Sequence, residues 1–149
     1  MTAKEYLTRA NNIDLEIDSL NISIQKCRER ATKITSVFSD LPAQHNGDVS
    51  DKVGLNVAEM VDYATRALEM MKESEQLKVE ITIQIHKMPN KLYAALLIDK
   101  YISNMTWQEV AEHINKEYDY TKGVLHDRAL SNFAKIIQNL SLIHISEPT

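Results

Sequence analysis

The chain has 149 residues, of which 44% are apolar and 6% aromatic, with three glycines and three prolines. Few glycines and prolines beside many good helix formers exclude a turn-rich fold of strands and predict an all-α protein. The single cysteine, Cys27, excludes an internal disulfide and suits a reducing compartment. No basic-then-apolar leader opens the sequence and no apolar run is long enough to span a bilayer, so we expect a cytoplasmic protein without a membrane partner.

The net charge of −4 is unevenly distributed along the chain. Residues 86–140 contain seven Lys or Arg and six Asp or Glu, whereas residues 1–85 contain ten and fourteen. A near-neutral second half implies few contacts with nucleic-acid phosphates and a weak, salt-sensitive non-specific affinity for DNA. The acidic first half favours a role other than DNA binding.

Two segments in the first half have the spacing of a coiled coil. Apolar or small residues recur at alternating steps of three and four through residues 3–34 and, less regularly, through residues 60–88. The second helix is expected to begin at Ser50 or Asp51. One apolar stripe cannot bury itself, so each helix needs a partner. The sequence leaves two arrangements open: an antiparallel hairpin within one chain, or pairing between the chains of a homodimer.

Residues that break helices divide the chain. Residues 35–50 hold a proline, a glycine and several short polar residues, and they predict a loop. Pro89 cannot continue a helix without losing a backbone bond, and it suits the first position of the next helix. We therefore predict a helical stalk over residues 1–88 and a separate domain over residues 89–140.

The domain over residues 89–140 has the pattern of a helix-turn-helix unit. Thr106 and Glu109 have the form of a capping box, in which the Thr106 hydroxyl accepts a bond from the Glu109 amide and the carboxylate bonds the Thr106 amide. This box marks the start of a short helix, in which Ala111 is small enough for a close helix crossing. A polar turn with two tyrosines follows, and then an amphipathic helix over residues 121–140. Such a unit places its second helix in the DNA major groove.

At about 100° per residue, the last helix has a core side and an opposite, charged side. Arg128 and Lys122 are our candidates for contacts with base edges, since both side chains suit the acceptor atoms of guanine. Three residues, Thr121, Thr106 and Lys135, are our candidates for contacts with phosphates, which position a protein without reading sequence. The full set of predicted DNA-binding residues is Thr106, Thr121, Lys122, Arg128, Ser131 and Lys135.

Several other polar and aromatic residues are better explained by packing than by chemistry. His126 falls on the core side of the last helix, where we expect it beside Phe133, and Trp107 suits a core position at a helix start. The five histidines have no metal-ligand spacing, and no cysteine cluster accompanies them. The sequence has no glycine-rich phosphate loop, and the carboxylates of an exposed coiled coil cannot shield a substrate from water. We therefore predict a protein without catalytic residues, metal or cofactor.

The segment MPNKLYAALLIDKYISNMTWQEVAEHI resembles region four of bacterial RNA polymerase sigma factors, which reads a promoter element. The features that match are Met88-Pro89, Tyr101 five residues before Thr106, and the triplet Glu109-Val110-Ala111. Further along, the segment LHDRAL is similar to the Leu-His-Arg-Ala-Leu ending of that group, with an aspartate inserted. The usual glycine and following Ile-Ser are replaced by KEYDYTK, so we expect a turn longer than the compact sigma form.

Together with the acidic stalk, the chain up to residue 140 is similar to small phage-encoded regulators of the ArpU and RinA type. The resemblance implies a transcriptional regulator of phage or prophage genes that binds double-stranded promoter or operator DNA and contacts host RNA polymerase in a bacterial cell. Two alternatives stay open: a non-catalytic adaptor that binds another protein through the stalk, and a protein like a terminase small subunit. Residues 141–149 (SLIHISEPT) resemble translated sequencing-adapter sequence, so we expect a non-native tail there.

Overall fold

The computed structural model of the chain describes the backbone of residues 1–39 and 46–146 and the side chains of residues 1–33 and 51–140. This described backbone is helical and contains no strand, which confirms the predicted all-α class. Its helices are α1 (Ala3–Ser39), α2 (Asn46–His86), α3 (Lys91–Leu97), α4 (Trp107–Ile114), α5 (Tyr118–Tyr120) and α6 (His126–Ser146).

Two π turns lengthen the short helices. The first, Ile98–Ile102, continues α3, and the second, Thr121–Leu125, joins α5 to α6. The backbone at both junctions of the second π turn is right-handed helical, so α5, this turn and α6 form one continuous helix, here called the last helix. Its backbone continues to Ser146, six residues beyond the end expected from the sequence.

The long helices extend further into the predicted loop than expected. α1 continues to Ser39 and α2 begins at Asn46, so the described parts of residues 35–50 are helical and that part of the loop prediction is wrong. Residues 40–45 lie outside the described residues. The second helix thus begins at Asn46, four residues before the predicted start at Ser50.

The chain divides into two compact units, one of which comprises Asn12–Ser74. In this unit α1 and α2 run antiparallel: Ser74 donates a 2.7 Å hydrogen bond to Asp14, and Arg30 forms an ion pair with Glu59 at 3.5 Å. The described residues of both predicted apolar series are buried or half-buried. The pairing that the sequence left open is therefore made within the chain, as a hairpin.

The other unit joins Met1–Asn11 to Glu75–Thr149. Its core combines the ends of the two long helices with the short helices, and the Phe133 ring lies against that of Tyr6 with centroids 5.6 Å apart. This division differs from the boundary predicted after Met88, because that residue packs into the same core as the helix-turn-helix residues. The largest fully buried apolar side chains of this core are Leu7, Ile81, Ile85, Met88, Leu96, Leu97, Val110 and Phe133.

α3 begins later than the position predicted from Pro89. Asn90 is the N-cap, and its Oδ1 accepts hydrogen bonds from the amides of Leu92 and Tyr93 at 3.0 and 3.2 Å. Lys91 is therefore the first helical residue, and Pro89 precedes the cap. The reason is that an asparagine side chain satisfies two free amide groups of the first turn, which a proline cannot do.

Candidate nucleic-acid interface

α4 begins at the predicted cap, although the cap is built differently. The Glu109 amide donates to Thr106 Oγ1 at 3.2 Å, as predicted. The Thr106 hydroxyl in turn donates to Glu109 Oε1 at 3.1 Å, so the carboxylate binds the hydroxyl and not the amide of Thr106. Thr106 is exposed, but its hydroxyl is held by a carboxylate that would repel a phosphate group. This geometry weakens the case for a phosphate contact at Thr106.

The turn between α4 and the last helix has three residues, Asn115–Glu117. Asn115 has left-handed backbone with φ 57° and ψ 51°, and the Lys116 amide donates to the Ala111 carbonyl at 2.9 Å. The Asn115 amide donates to the Glu112 carbonyl at 3.2 Å, which completes a Schellman motif. The longer turn expected from the sequence is wrong, and the observed length is that of a compact helix-turn-helix.

The last helix begins at Tyr118, three residues before the predicted start at Thr121. As a result Thr121 lies in the second turn, where its side chain is fully buried and its hydroxyl donates to the Glu117 carbonyl at 2.7 Å. A buried hydroxyl cannot reach a phosphate. The assignment of Thr121 as a DNA contact is therefore wrong, and its role is to hold the start of the helix.

The other predicted residues of the last helix are exposed, and two exposed tyrosines join them. Tyr118 is 41% exposed and Tyr120 is 39% exposed. Each lies beside a cation: Lys122 Nζ is 5.8 Å from the centre of the Tyr118 ring, and Arg128 Nη1 is 3.5 Å from the Tyr120 hydroxyl. The one signal for these tyrosines in the sequence is their spacing, since Tyr118 lies four residues before Lys122 and Tyr120 lies eight residues before Arg128. We define the reading face as Tyr118, Tyr120, Lys122, Val124, Arg128, Ser131 and Lys135.

The reading face is not strongly basic. Residues 115–140 contain four cations and three anions, and two of the anions, Asp119 and Asp127, are exposed on the last helix itself. A nearly balanced surface attracts the phosphate backbone weakly, because non-specific affinity depends on the number of phosphates that are neutralised. Such a surface favours contacts that depend on the geometry of individual side chains.

His126 is half-buried and packs against two ring side chains, those of Tyr101 and Trp107. The Tyr101 hydroxyl is 2.7 Å from His126 Nε2, and the Trp107 ring meets the imidazole edge-on with centroids 4.6 Å apart. Burial lowers the pKa of His126 and raises the pKa of Tyr101. The predicted core-side position of His126 and the packed position of Trp107 are confirmed. The neighbours of His126 are Tyr101 and Trp107, whereas Phe133 lies against Tyr6.

A second polar contact joins the first π turn to α4. Asp99 is 5% exposed, and its Oδ2 contacts Nδ1 of His113 in the last turn of α4. Lys100, the next residue, lies with its Nζ 4.8 Å from the centre of the Trp107 ring. The Asp99–His113 contact was not predicted, since nothing in the linear pattern links these two residues, which are 14 positions apart. These contacts hold α4 against the segment that precedes it.

The described residues contain no group of three or more His, Cys, Asp or Glu side chains placed to hold a metal ion. Among the helices of the same residues, none combines the length and apolar character that a membrane crossing requires. No family model, curated protein or solved structure matches this chain. We therefore infer its function from the residues of the site.

Proposed function

We propose that the chain is a sequence-specific DNA-binding regulator of transcription, whose last helix enters the major groove of double-stranded DNA. One observation carries the proposal: a three-residue turn joins α4 to a helix whose exposed side bears cations and tyrosines. In helix-turn-helix proteins the N-terminal part of the second helix contacts base edges. Here that part carries Tyr118, Lys122 and Arg128.

The side chains of the reading face suit different contacts. Arg128 and Lys122 match the O6 and N7 acceptors of guanine, and Arg128 can bond both at once. Lys135 and Ser131 lie further along the helix, where they suit phosphate oxygens. Tyr120 lies 3.5 Å from the guanidinium of Arg128 in the free protein, and this contact favours side-chain conformations that lose less entropy when the guanidinium binds.

The target genes follow from the sequence resemblance. The similarity to sigma region four, and to phage regulators of the ArpU and RinA type, supports a promoter or operator of phage or prophage genes as the binding site. A contact with host RNA polymerase is proposed on the same basis. The compact turn strengthens the comparison with sigma region four, because the expected difference in turn length is not present.

The test is selection of binding sites from a random duplex library with the full chain, followed by fluorescence anisotropy on the enriched sequence. We expect one sequence to be enriched, and Arg128→Ala to weaken its binding by about 5- to 150-fold, the discrimination given by one good base contact. Arg66→Ala, an exposed arginine of α2, is the matched control and should bind as the unaltered chain does. Absence of any enriched sequence would refute the proposed function.

A separate observation favours a second candidate function, the binding of a partner protein through the stalk. α2 carries another series of apolar residues at steps of three and four, and this series faces solvent. Four of its members are 49–66% exposed. An exposed apolar row at this spacing is typical of a helix that packs against another helix. The series consists of Val57, Val61, Ala64, Leu68 and Met71.

Light scattering of the full chain over a range of concentrations tests this candidate. A homodimer formed through the exposed series should become a monomer in Leu68→Glu, because the charge enters the middle of the series. Glu69→Gln, at the neighbouring exposed position, is the matched control and should keep the dimer. A chain that is monomeric at all concentrations would exclude the homodimer. An adaptor or terminase-like role would then require a different protein as the partner.

A further inference from the structure

Val124 is the one residue of the reading face whose side chain has no polar group. It is 41% exposed, and among the described residues of the last helix it is the one large aliphatic side chain that is exposed. Valine is a poorer helix former than alanine, lysine or glutamate, so neither helix stability nor hydration favours it at this position. The adjacent Gly123 is exposed as well, and no heavy atom lies within 4 Å of the place where its Cβ would be. The surface around Val124 is therefore open to a ligand.

The neighbours of Val124 restrict what that ligand can be. Tyr120 and Arg128 lie four residues before and after it, and the 3.5 Å approach of Arg128 Nη1 to the Tyr120 hydroxyl brings these two side chains together over the same side of the helix. The three side chains form a single exposed row, with an apolar branched group between a phenol and a guanidinium. A ligand that fits this row presents an apolar group beside hydrogen-bond acceptors.

The DNA major groove presents that combination at thymine. Guanine, adenine and cytosine offer only hydrogen-bonding groups in the groove, whereas thymine offers the O4 acceptor and the apolar C5-methyl group. Four residues of helix rise by about 6 Å, which is close to two base-pair steps of about 3.4 Å. For a helix that lies along the groove, an Arg128 bonded to a guanine therefore brings Val124 within one or two base-pair steps of it.

We propose that Val124 is a specificity residue that reads thymine through its C5-methyl group, one or two base pairs from a guanine bound by Arg128. This inference rests on the proposed DNA-binding function and deepens it by naming part of the target sequence. The contact is apolar on both sides. It therefore adds affinity through burial and discriminates thymine from the three bases that lack the methyl group.

The test replaces thymine by uracil, one position at a time, in the duplex enriched with the full chain. The change removes the methyl group and keeps every hydrogen-bonding atom. At one position next to the guanine that Arg128 requires, we expect binding to weaken about three- to five-fold, the effect of one buried methyl group. Val124→Ala should weaken binding of the thymine duplex by a similar factor and should no longer distinguish it from the uracil duplex.

Matched variants separate a lost contact from a disturbed fold. Val79→Ala changes another exposed valine, on α2, and should keep the full preference for thymine. Val124→Thr keeps the branched shape and one methyl group and should show an intermediate preference. The unfolding temperature of Val124→Ala should equal or slightly exceed that of the unaltered chain, because alanine is the better helix former at an exposed site.

Different results would refute DNA binding and the thymine contact of Val124. When no sequence is enriched from the library, the DNA-binding function itself is refuted. When a sequence is enriched but uracil is tolerated at every position, or Val124→Ala keeps the preference for thymine, DNA binding stands and the role of Val124 is overturned.

Discussion

The Tyr101 hydroxyl lies 2.7 Å from Nε2 of His126, and this bond ties the π turn after α3 to the first residue of α6. Trp107, the first residue of α4, meets the same imidazole edge-on. Three segments of the helix-turn-helix thus converge on one side chain. Because His126 is two residues from Arg128, the cluster fixes the rotation of the last helix and with it the direction of the reading face.

Acidification is expected to destabilise the protein through His126. Burial lowers the pKa of this residue, Lys4 and Lys100 lower it further, and Asp127 partly opposes them. Since the unfolded chain binds the proton more readily, the stabilising contribution is complete above the unfolded pKa of about 6.5 and falls as the pH drops below that value. Thermal unfolding between about pH 7.5 and 5 should show this decrease.

The matched variants for this pH dependence are His126→Gln and His86→Gln. The first removes the half-buried imidazole and should flatten the decrease in unfolding temperature between neutral and acidic pH. The second changes an exposed histidine at the end of α2 and should keep the decrease. Equal pH profiles for His126→Gln and the unaltered chain would exclude His126 as the source.

Thr121→Val should lower stability and leave DNA binding unchanged. The substitution removes the hydroxyl that donates to the Glu117 carbonyl and keeps the shape of a fully buried side chain. Losing one such hydrogen bond costs about 1 kcal/mol in the free energy of unfolding, measured by urea titration. Thr121→Ser keeps the donor and loses one buried methyl group, so its stability measures the packing contribution separately from the hydrogen bond. A loss of DNA affinity in folded Thr121→Val would show that Thr121 belongs to the DNA-binding residues.

Thr121 was assigned wrongly because the sequence pattern does not mark the start of the last helix. The cap of the last helix is Glu117, which makes no side-chain cap bond, so none of the usual Ser, Thr, Asn or Asp signals marks the start. Tyr118 and Tyr120 lie among polar residues and have the composition of a turn. Moving the start by three residues places Thr121 one turn further into the helix, where it faces the core.

The long helices were easier to predict, because apolar spacing reports directly which side of a helix is buried. The described residues of both series are on the buried side, from Ala3 to Ala31 and from Met60 to Met88. Spacing does not identify the partner, so the sequence could not choose between a hairpin and a dimer. Contacts that depend on the folded arrangement, such as Asp99 with His113 and Asp14 with Ser74, have no linear signal at all.

Substitutions at Asn115 should reveal the strain in the compact turn. Its φ of 57° is readily adopted by glycine, tolerated by asparagine and costly for a β-branched residue. We expect Asn115→Gly to keep or slightly raise the free energy of unfolding and Asn115→Val to lower it by about 1–3 kcal/mol. Urea titration of the three proteins gives the comparison. Equal stability of all three would be incompatible with a left-handed residue at this position.

Under the proposed function, salt dependence should separate residues that contact phosphates from residues that contact bases. Each phosphate neutralised adds about 0.9 to the slope of log affinity against log salt, so the four cations of residues 115–140 limit the slope to about −4 per chain. Lys135→Ala should reduce the slope by about one and weaken binding to all sequences alike, whereas Arg128→Ala should mainly weaken binding to the enriched sequence.

Lys72→Ala, an exposed lysine of α2, controls for net charge. The measurement is anisotropy at several salt concentrations, and an equal, sequence-independent loss in Arg128→Ala would place Arg128 on a phosphate.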